Sequence, residues 1–334
     1  MKTTLSLAAL LLIGIVPTSS GPTQAAPEMA PAPAYTGYLA CYFDKSEGGE
    51  RQEPESLHYA LSRDGFHFSP VNAGKAVLVS TVGDKRMRDP MILRDGAGVF
   101  HLVVTNSWDK LQFTLWDSSD LIHWTGERLV VPPDPDLKPT WAPELGYDPA
   151  SKKYFVFWTT GKTGWDSTHI YAMTTADFKS WSPPQTLYQH LEDGKNVPVM
   201  DASLFQAGGK HHLLYRYNKQ IWQVTSSGSA LGPFDTNDHM VMDIDGEGPF
   251  AYQLNGKDEW NMVYDYFGGN QGKWGVATST DGMQWKLATD PKWPYYQNNA
   301  ASFPEGVRHG AILAITEGEY EKLAKEYKLD TPKN

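Results

Sequence analysis

Five short segments of the 334-residue chain share one design, a polar or charged residue set directly before an apolar run: RDPMIL at 88–93, WAPELGY at 141–147, MDASLF at 200–205, EGPFAY at 247–252 and RHGAILAI at 308–315. Asp89, Glu144, Asp201, Glu247 and His309 mark them, at intervals of 46 to 62 residues. If the fold gathers these segments, Asp89, Asp201 and Glu247 form a three-carboxyl cluster. Such a cluster suits acid–base cleavage of a glycosidic bond, with one protonated acid for the leaving oxygen and one ionised base for a water. A third carboxylate near the acid raises its pKa by like-charge repulsion. One acid alone would be read as a cap on a turn before a strand. Three at matching points of a repeat turn the reading toward a site. Trp108, Trp141 and Phe267 are candidate walls for a sugar face, and Glu144 is a further candidate contact. His211 and His212 sit side by side in a β-prone run, so they point to opposite faces and cannot share a metal.

The elements that would gather these residues are strands. A second repeat, a hydroxyl or small residue followed by an acid, an apolar or glycine residue and then an aromatic, occurs as SRDGFHFSP at 62–70, SSDLIHWTG at 118–126, TADFKSWSP at 175–183 and STDGMQWKL at 279–287, with a degenerate copy, SGSALGPFD, at 227–235. Each copy follows a strand-like run. Each unit also holds a strongly β-prone run: YLACYF, VFHLVVT, YFVFWTT, HHLLYRY and WNMVYDYF. Four strands per unit, recurring on average about every 55 residues, predict a β-propeller, here with five blades. The last marker has no strands behind it, and the first strands have no marker before them. The expected fold is therefore an all-β, five-bladed propeller in which N-terminal strands pair with the C-terminal inner strand and leave no open edge. The expected boundaries are 1–25 for a signal peptide, 26–34 for a Pro/Ala linker, 35–317 for the propeller and 318–334 for a helical tail.

Composition agrees with a packed β protein. The chain is 40% hydrophobic and 20% charged, with 30 Gly, 23 Pro, 12 Trp, 17 Tyr and 13 Phe, which excludes a disordered chain or a coiled coil. The formal charge of −10 and the scattered basic residues exclude a nucleic-acid partner. Lys2, the apolar run from Leu5 to Val16 and the small residues around Ala25 predict export to a periplasm or medium, without a membrane anchor. Cys41 is the sole cysteine, so no internal disulfide is expected and the thiol is read as buried core. The expected molecule is a monomer whose partner is an oligo- or polysaccharide.

RDPMIL, WAPEL, MDASLF, EGPF and RHG, in this order and spacing, resemble glycoside hydrolase family 43, and the resemblance covers about residues 35 to 317. It implies a five-bladed propeller enzyme acting with inversion on arabinose- and xylose-containing glycans. By the same resemblance Asp89 is the general base, Glu247 the general acid, and Asp201 the residue that tunes the acid and orients substrate. Arg216 resembles a basic residue that contacts the sugar or the carboxylates. His309 resembles a histidine that, in many members, lies on the axis near a calcium ion or a water cluster. No cofactor is required on this reading, with a structural calcium as an option. Two departures stand out. Ala202 replaces the proline that usually follows the second acid, which predicts an altered turn there. The long N-terminal lead before Asp89 makes the chain an outlying branch. The resemblance implies α-L-arabinofuranosidase activity first, β-D-xylosidase or β-D-galactofuranosidase next. A non-catalytic sugar-binding propeller is the rival of another class.

Overall fold

The computed structural model describes residues 34–46, 55–162, 167–236, 238–266, 272–288 and 301–329. The signal peptide, nearly all of the linker and Phe267 lie outside these residues.

The chain first lays down β1 (Tyr35–Asp44), β2 (His58–Ser62) and β3 (Ser69–Pro70). Two complete antiparallel sheets follow: β4 (Arg88–Arg94), β5 (Phe100–Thr105), β6 (Phe113–Ser118) and β7 (Thr125–Val130), then β8 (Lys138–Asp148), β9 (Lys153–Gly161), β10 (His169–Thr175) and β11 (Gln185–Tyr188). After a small hairpin of β12 (His190–Glu192) and β13 (Lys195–Val197) come β14 (Met200–Ala207), β15 (Lys210–Tyr217), β16 (Gln220–Ser226) and β17 (His239–Met242). The next sheet is β18 (Gly246–Gln253), β19 (Trp260–Tyr266), β20 (Trp274–Ser279) and β21 (Lys286–Leu287). The last strand, β22 (Val307–Thr316), returns to pair antiparallel with β1, giving the order β22-β1-β2-β3. The five inner strands β22, β4, β8, β14 and β18 touch one another in a closed ring. The result is a five-bladed propeller closed by its two chain ends, as the repeat order implies.

Burial follows position within a blade. β2, β5 and β19 are buried along their whole length because each blade packs between two others. This accounts for their lack of strict apolar–polar alternation, since a strand covered on both faces has no reason to alternate. The outer strands β7, β11 and β21 stay partly exposed. Cys41 is buried, as its setting in YLACYF implies; its thiol donates to the Pro90 carbonyl at 3.3 Å, and burial pushes its pKa up to about 12.

The hydroxyl–acid–aromatic repeat is the turn leaving the third strand of a blade. Ser62, Ser118, Thr175 and Ser279 each accept a hydrogen bond from the backbone N–H three residues on, at Gly65, Leu121, Phe178 and Gly282. Those four residues all take left-handed φ, which glycine adopts at two of them without cost. The acid two residues after each hydroxyl, such as Asp64, accepts the next pair of N–H groups. Burial opposes ionisation of Asp64, yet the N–H groups of His67 and Phe66 hold its pKa down to about 2. In the degenerate copy the acid comes from elsewhere: Asp148 at the end of β8 accepts from Ser229 and from the Ala230 N–H.

The tail helix α1 spans Glu317–Glu326. Thr316 caps it in a reciprocal capping box with Glu319, and Tyr320 and Leu323 bury its inner face. Arg94 forks onto both oxygens of Glu319, at 2.6 and 2.8 Å, which ties the helix to the inner strand β4.

Candidate active site

Each inner strand from β4 to β18 carries a bulge near its start, and the bulges build the site. In β4 the pairing with β5 jumps from Arg88↔Thr105 to Met91↔Val103, and the residue at the jump, Asp89, has φ 51°. The same break places Ala142 of β8 at φ 45°, Asp201 of β14 at φ 52° and Gly248 of β18 at φ 57°. A left-handed residue turns its side chain out of the strand's alternation. That directs the carboxylates of Asp89 and Asp201 away from the pleat. Ala202 leaves this geometry unchanged, since Asp201 and Asp89 share the same φ within a degree. The expected alteration of the turn is therefore not seen; the bulge, rather than the proline after it, sets the conformation.

The marker residues consequently are not all register-equivalent, which corrects the sequence reading. Asp89 and Asp201 occupy the bulge, but Glu247 precedes it, paired with Asp265, and Glu144 follows it, paired with Phe157. Glu144 is 5% exposed, out of reach of a sugar in the funnel. Burial pushes its carboxyl well above the usual range, against the Ser203 hydroxyl and the Leu204 N–H, while Asp201 adds a further upward push. It belongs to the wall between β8 and β14, not to the funnel.

Asp89, Asp201, Glu247, Arg216 and His309 do come together. The Oδ2 of Asp89 accepts from the Thr105 hydroxyl at 2.7 Å, and its Oδ1 lies 3.4 Å from Nδ1 of His309. The His309 ring lies over Gly248: a Cβ there would stand 2.5 Å from the imidazole Cγ. Only glycine satisfies both this contact and the left-handed φ. Asp201 is anchored through its own N–H to the Thr159 hydroxyl at 2.9 Å and accepts the Gly248 N–H at 3.3 Å. Burial raises its pKa; His309 opposes the rise and Asp89 reinforces it.

Glu247 sits between two guanidinium groups. Arg308 Nη2 donates to its Oε1 at 2.8 Å, and Arg216 Nη1 stands 3.9 Å from its Oε2. Both cations favour ionisation. Burial, then the charges of Asp201 and Asp265, outweigh them and push the carboxyl up to about 8. With Oε1 occupied as an acceptor of the Arg308 N–H, the proton of the neutral acid belongs on Oε2.

Sequence reasoning missed three contributors. Asp265 is fully buried, binds Arg308 Nε through Oδ2 and accepts the His309 N–H. Burial raises it to about 6 even with Arg308 beside it. An acid inside the apolar run WNMVYDYF was the available signal, because a buried acid needs a partner. Arg308 was legible only as the first letter of RHG. Glu55, from the lead before the first acid, is buried and pairs with Arg86 at 2.7 Å and Arg88 at 3.0 Å.

Arg88 lies between two rings, its guanidinium 4.5 Å from the centroid of Phe43 and 4.5 Å from that of Trp108. Trp141 meets Trp108 edge-on and donates its indole N–H to the Trp108 carbonyl at 2.9 Å. Trp108 is 48% exposed, so an indole contacted by Arg88 and by the edge of Trp141 faces solvent. For calcium the fit is poor. Calcium takes six to eight oxygen ligands, whereas the surroundings of His309 offer an imidazole, the Arg308 cation and three carboxylates already engaged, Asp89 by Thr105, Asp201 by the Gly248 N–H and Asp265 by Arg308. Among the described residues no group of three or more His, Cys, Asp or Glu side chains could hold a metal ion.

Residues 33–321 match a family model of glycosyl hydrolase 43-related proteins, described as a "probable glycosyl hydrolase domain". No curated protein matches the chain in sequence. Among solved structures, an α-L-arabinofuranosidase from Lactobacillus brevis is similar with a TM-score of 0.52 and 16% identity, over 73% of this chain and 82% of that one. An endo-arabinase from Bacteroides thetaiotaomicron gives 0.48 and 19%, over 62% and 80%. An exo-β-1,3-galactanase from Clostridium thermocellum gives 0.48 and 15%, over 61% and 49%. These likenesses concern the fold.

Proposed function

The chain belongs to the glycosyl hydrolase 43-related family, and from that premise we propose that it is an exported, inverting exo-glycosidase, an α-L-arabinofuranosidase by first choice. The observation that carries this reading is Glu247, a buried carboxyl raised to about 8 in the same funnel as Asp89. At neutral pH Glu247 is an acid with a proton to give, while Asp89, its Oδ2 held by the Thr105 hydroxyl and its Oδ1 3.4 Å from His309 Nδ1, serves as the base for a water.

In the proposed reaction the water's oxygen forms the new bond at the anomeric carbon and passes a proton to Asp89. The glycosidic bond breaks from the opposite face, its electrons staying with the leaving oxygen, which takes the Glu247 proton from Oε2. One displacement inverts the configuration. Asp201 keeps the acid's pKa high and faces the sugar with Arg216. Trp108 and Trp141 supply an aromatic wall.

Charge bookkeeping favours a neutral sugar. Arg88 is paired with Glu55, and Arg308 with Glu247 and Asp265, so these cations are committed before a uronate or a phosphate could claim them. The test is a screen of α-L-arabinofuranosides, β-D-xylosides and β-D-galactofuranosides alongside Glu247→Gln. Turnover of the first class, abolished by the substitution with sugar binding retained, is the expected result. Hydrolysis unchanged by Glu247→Gln overturns the assignment, and binding of sugars without turnover of any supports the non-catalytic propeller.

A further inference from the structure

A hydrogen bond recurs between neighbouring blades at the level of the site. A residue near the end of a blade's second strand offers an oxygen to the backbone N–H of the next blade's inner strand. Thr105 of β5 accepts from Ala142 N at 2.9 Å, Thr159 of β9 from Asp201 N at 2.9 Å, and Asp265 of β19 from His309 N at 3.3 Å. The first two accept from bulge residues with left-handed φ, so the contact secures a conformation that alanine and aspartate do not favour. Thr105 differs from Thr159 in a second contact. Thr105 is 1% exposed, and its hydroxyl also lies 2.7 Å from Oδ2 of Asp89.

A hydroxyl has one proton to donate. Because the Ala142 N–H can only donate, the Thr105 oxygen must accept there, and its own proton is free to point at Asp89. The carboxylate is then held at one oxygen by a donor whose direction is set by the neighbouring blade. From this geometry we propose that Thr105 is a positioning residue for the general base, a relay that fixes Asp89 Oδ2 and thereby sets the direction of Oδ1, which lies 3.4 Å from His309 Nδ1, toward the attacking water. The proposal rests on the reading of Asp89 as the base.

Three variants test it, together with Asp89→Asn, by steady-state kinetics on an arabinofuranoside substrate. Thr105→Val keeps the shape and removes the hydroxyl; Thr105→Ser keeps the hydroxyl and removes the methyl. If Thr105→Val does not fold, Thr105→Cys takes its place, since a thiol is a weak donor. A base displaced by a fraction of an ångström loses rate rather than binding. The expected result is a kcat lower by about 10- to 100-fold in Thr105→Val with KM within about twofold, and kcat restored to within about threefold of the parent in Thr105→Ser. A parental kcat in Thr105→Val, or an equal loss in Thr105→Ser, overturns the relay and leaves the base in place. An active Asp89→Asn instead overturns the reading on which the relay rests.

Discussion

Asp265→Asn isolates how the buried charges set the acid. Asp265 raises Glu247 directly, and it also neutralises Arg308, which pulls Glu247 the other way. Replacing the carboxylate by an amide removes an upward influence and releases a downward one, so both changes lower the Glu247 pKa. At an effective dielectric near 20, two unit charges 4 Å apart couple by about 4 kcal/mol, and the coupling halves when the distance doubles. A loss of about 1–2 kcal/mol for a charge standing behind one guanidinium is therefore reasonable, which is about one pH unit or slightly more. Glu247 then titrates nearer 7 than 8. The alkaline limb of kcat/KM, which reports the acid in the free enzyme, moves down by that amount. The assay needs an alkyl or sugar leaving group, so that protonation of the departing oxygen matters to the rate. Breaking a buried pair also costs about 3–5 kcal/mol of stability, so the profile is recorded well below the melting temperature. An alkaline limb that stays in place, or moves up, refutes this electrostatic reasoning.

Gly248→Ala forces a left-handed alanine and a Cβ 2.5 Å from the His309 ring; a destabilisation of about 2–4 kcal/mol, read as a melting temperature lower by several degrees, is expected with a fall in kcat, and parental values of both would contradict the packing described. Trp108→Ala removes the exposed indole and is expected to raise KM about 3- to 10-fold, the equivalent of an aromatic contact of about 0.5–1.5 kcal/mol, with kcat nearly unchanged; an unaltered KM would remove Trp108 from the sugar wall. Asp64→Ala deprives two N–H groups of their acceptor in the first repeated turn and is expected to cost about 1 kcal/mol, as loss of a helix cap does, without effect on kinetics; differential scanning calorimetry reads the difference.

Most of the architecture was legible because it repeats. The hydroxyl–acid–aromatic turn recurs with one hydrogen-bond pattern, so its spacing alone located the third strand of four blades, and the misplaced first and last pieces announced the closure of β22 on β1. Asp89, Asp201 and Glu247 were legible for the same reason. What the markers concealed was the bulge. Asp89 is itself the left-handed residue and enters the funnel, whereas Glu144 stands two residues beyond the left-handed Ala142 and enters the wall, and the string WAPEL carries no trace of that shift. Arg308 and Asp265 were hidden because their pairing crosses between β22 and β19, 43 residues apart, and nothing local to either requires the other. Thr105 and Thr159 end apolar runs where threonine is an ordinary strand residue, so their contacts with the next blade appear only in three dimensions.

The central claim is a single displacement run by Asp89 and Glu247, and its most direct test is the configuration of the first sugar released. Proton NMR of the reaction, followed before mutarotation, is expected to show an α-L-arabinofuranoside giving the β-anomer. A first product of retained configuration would contradict the account.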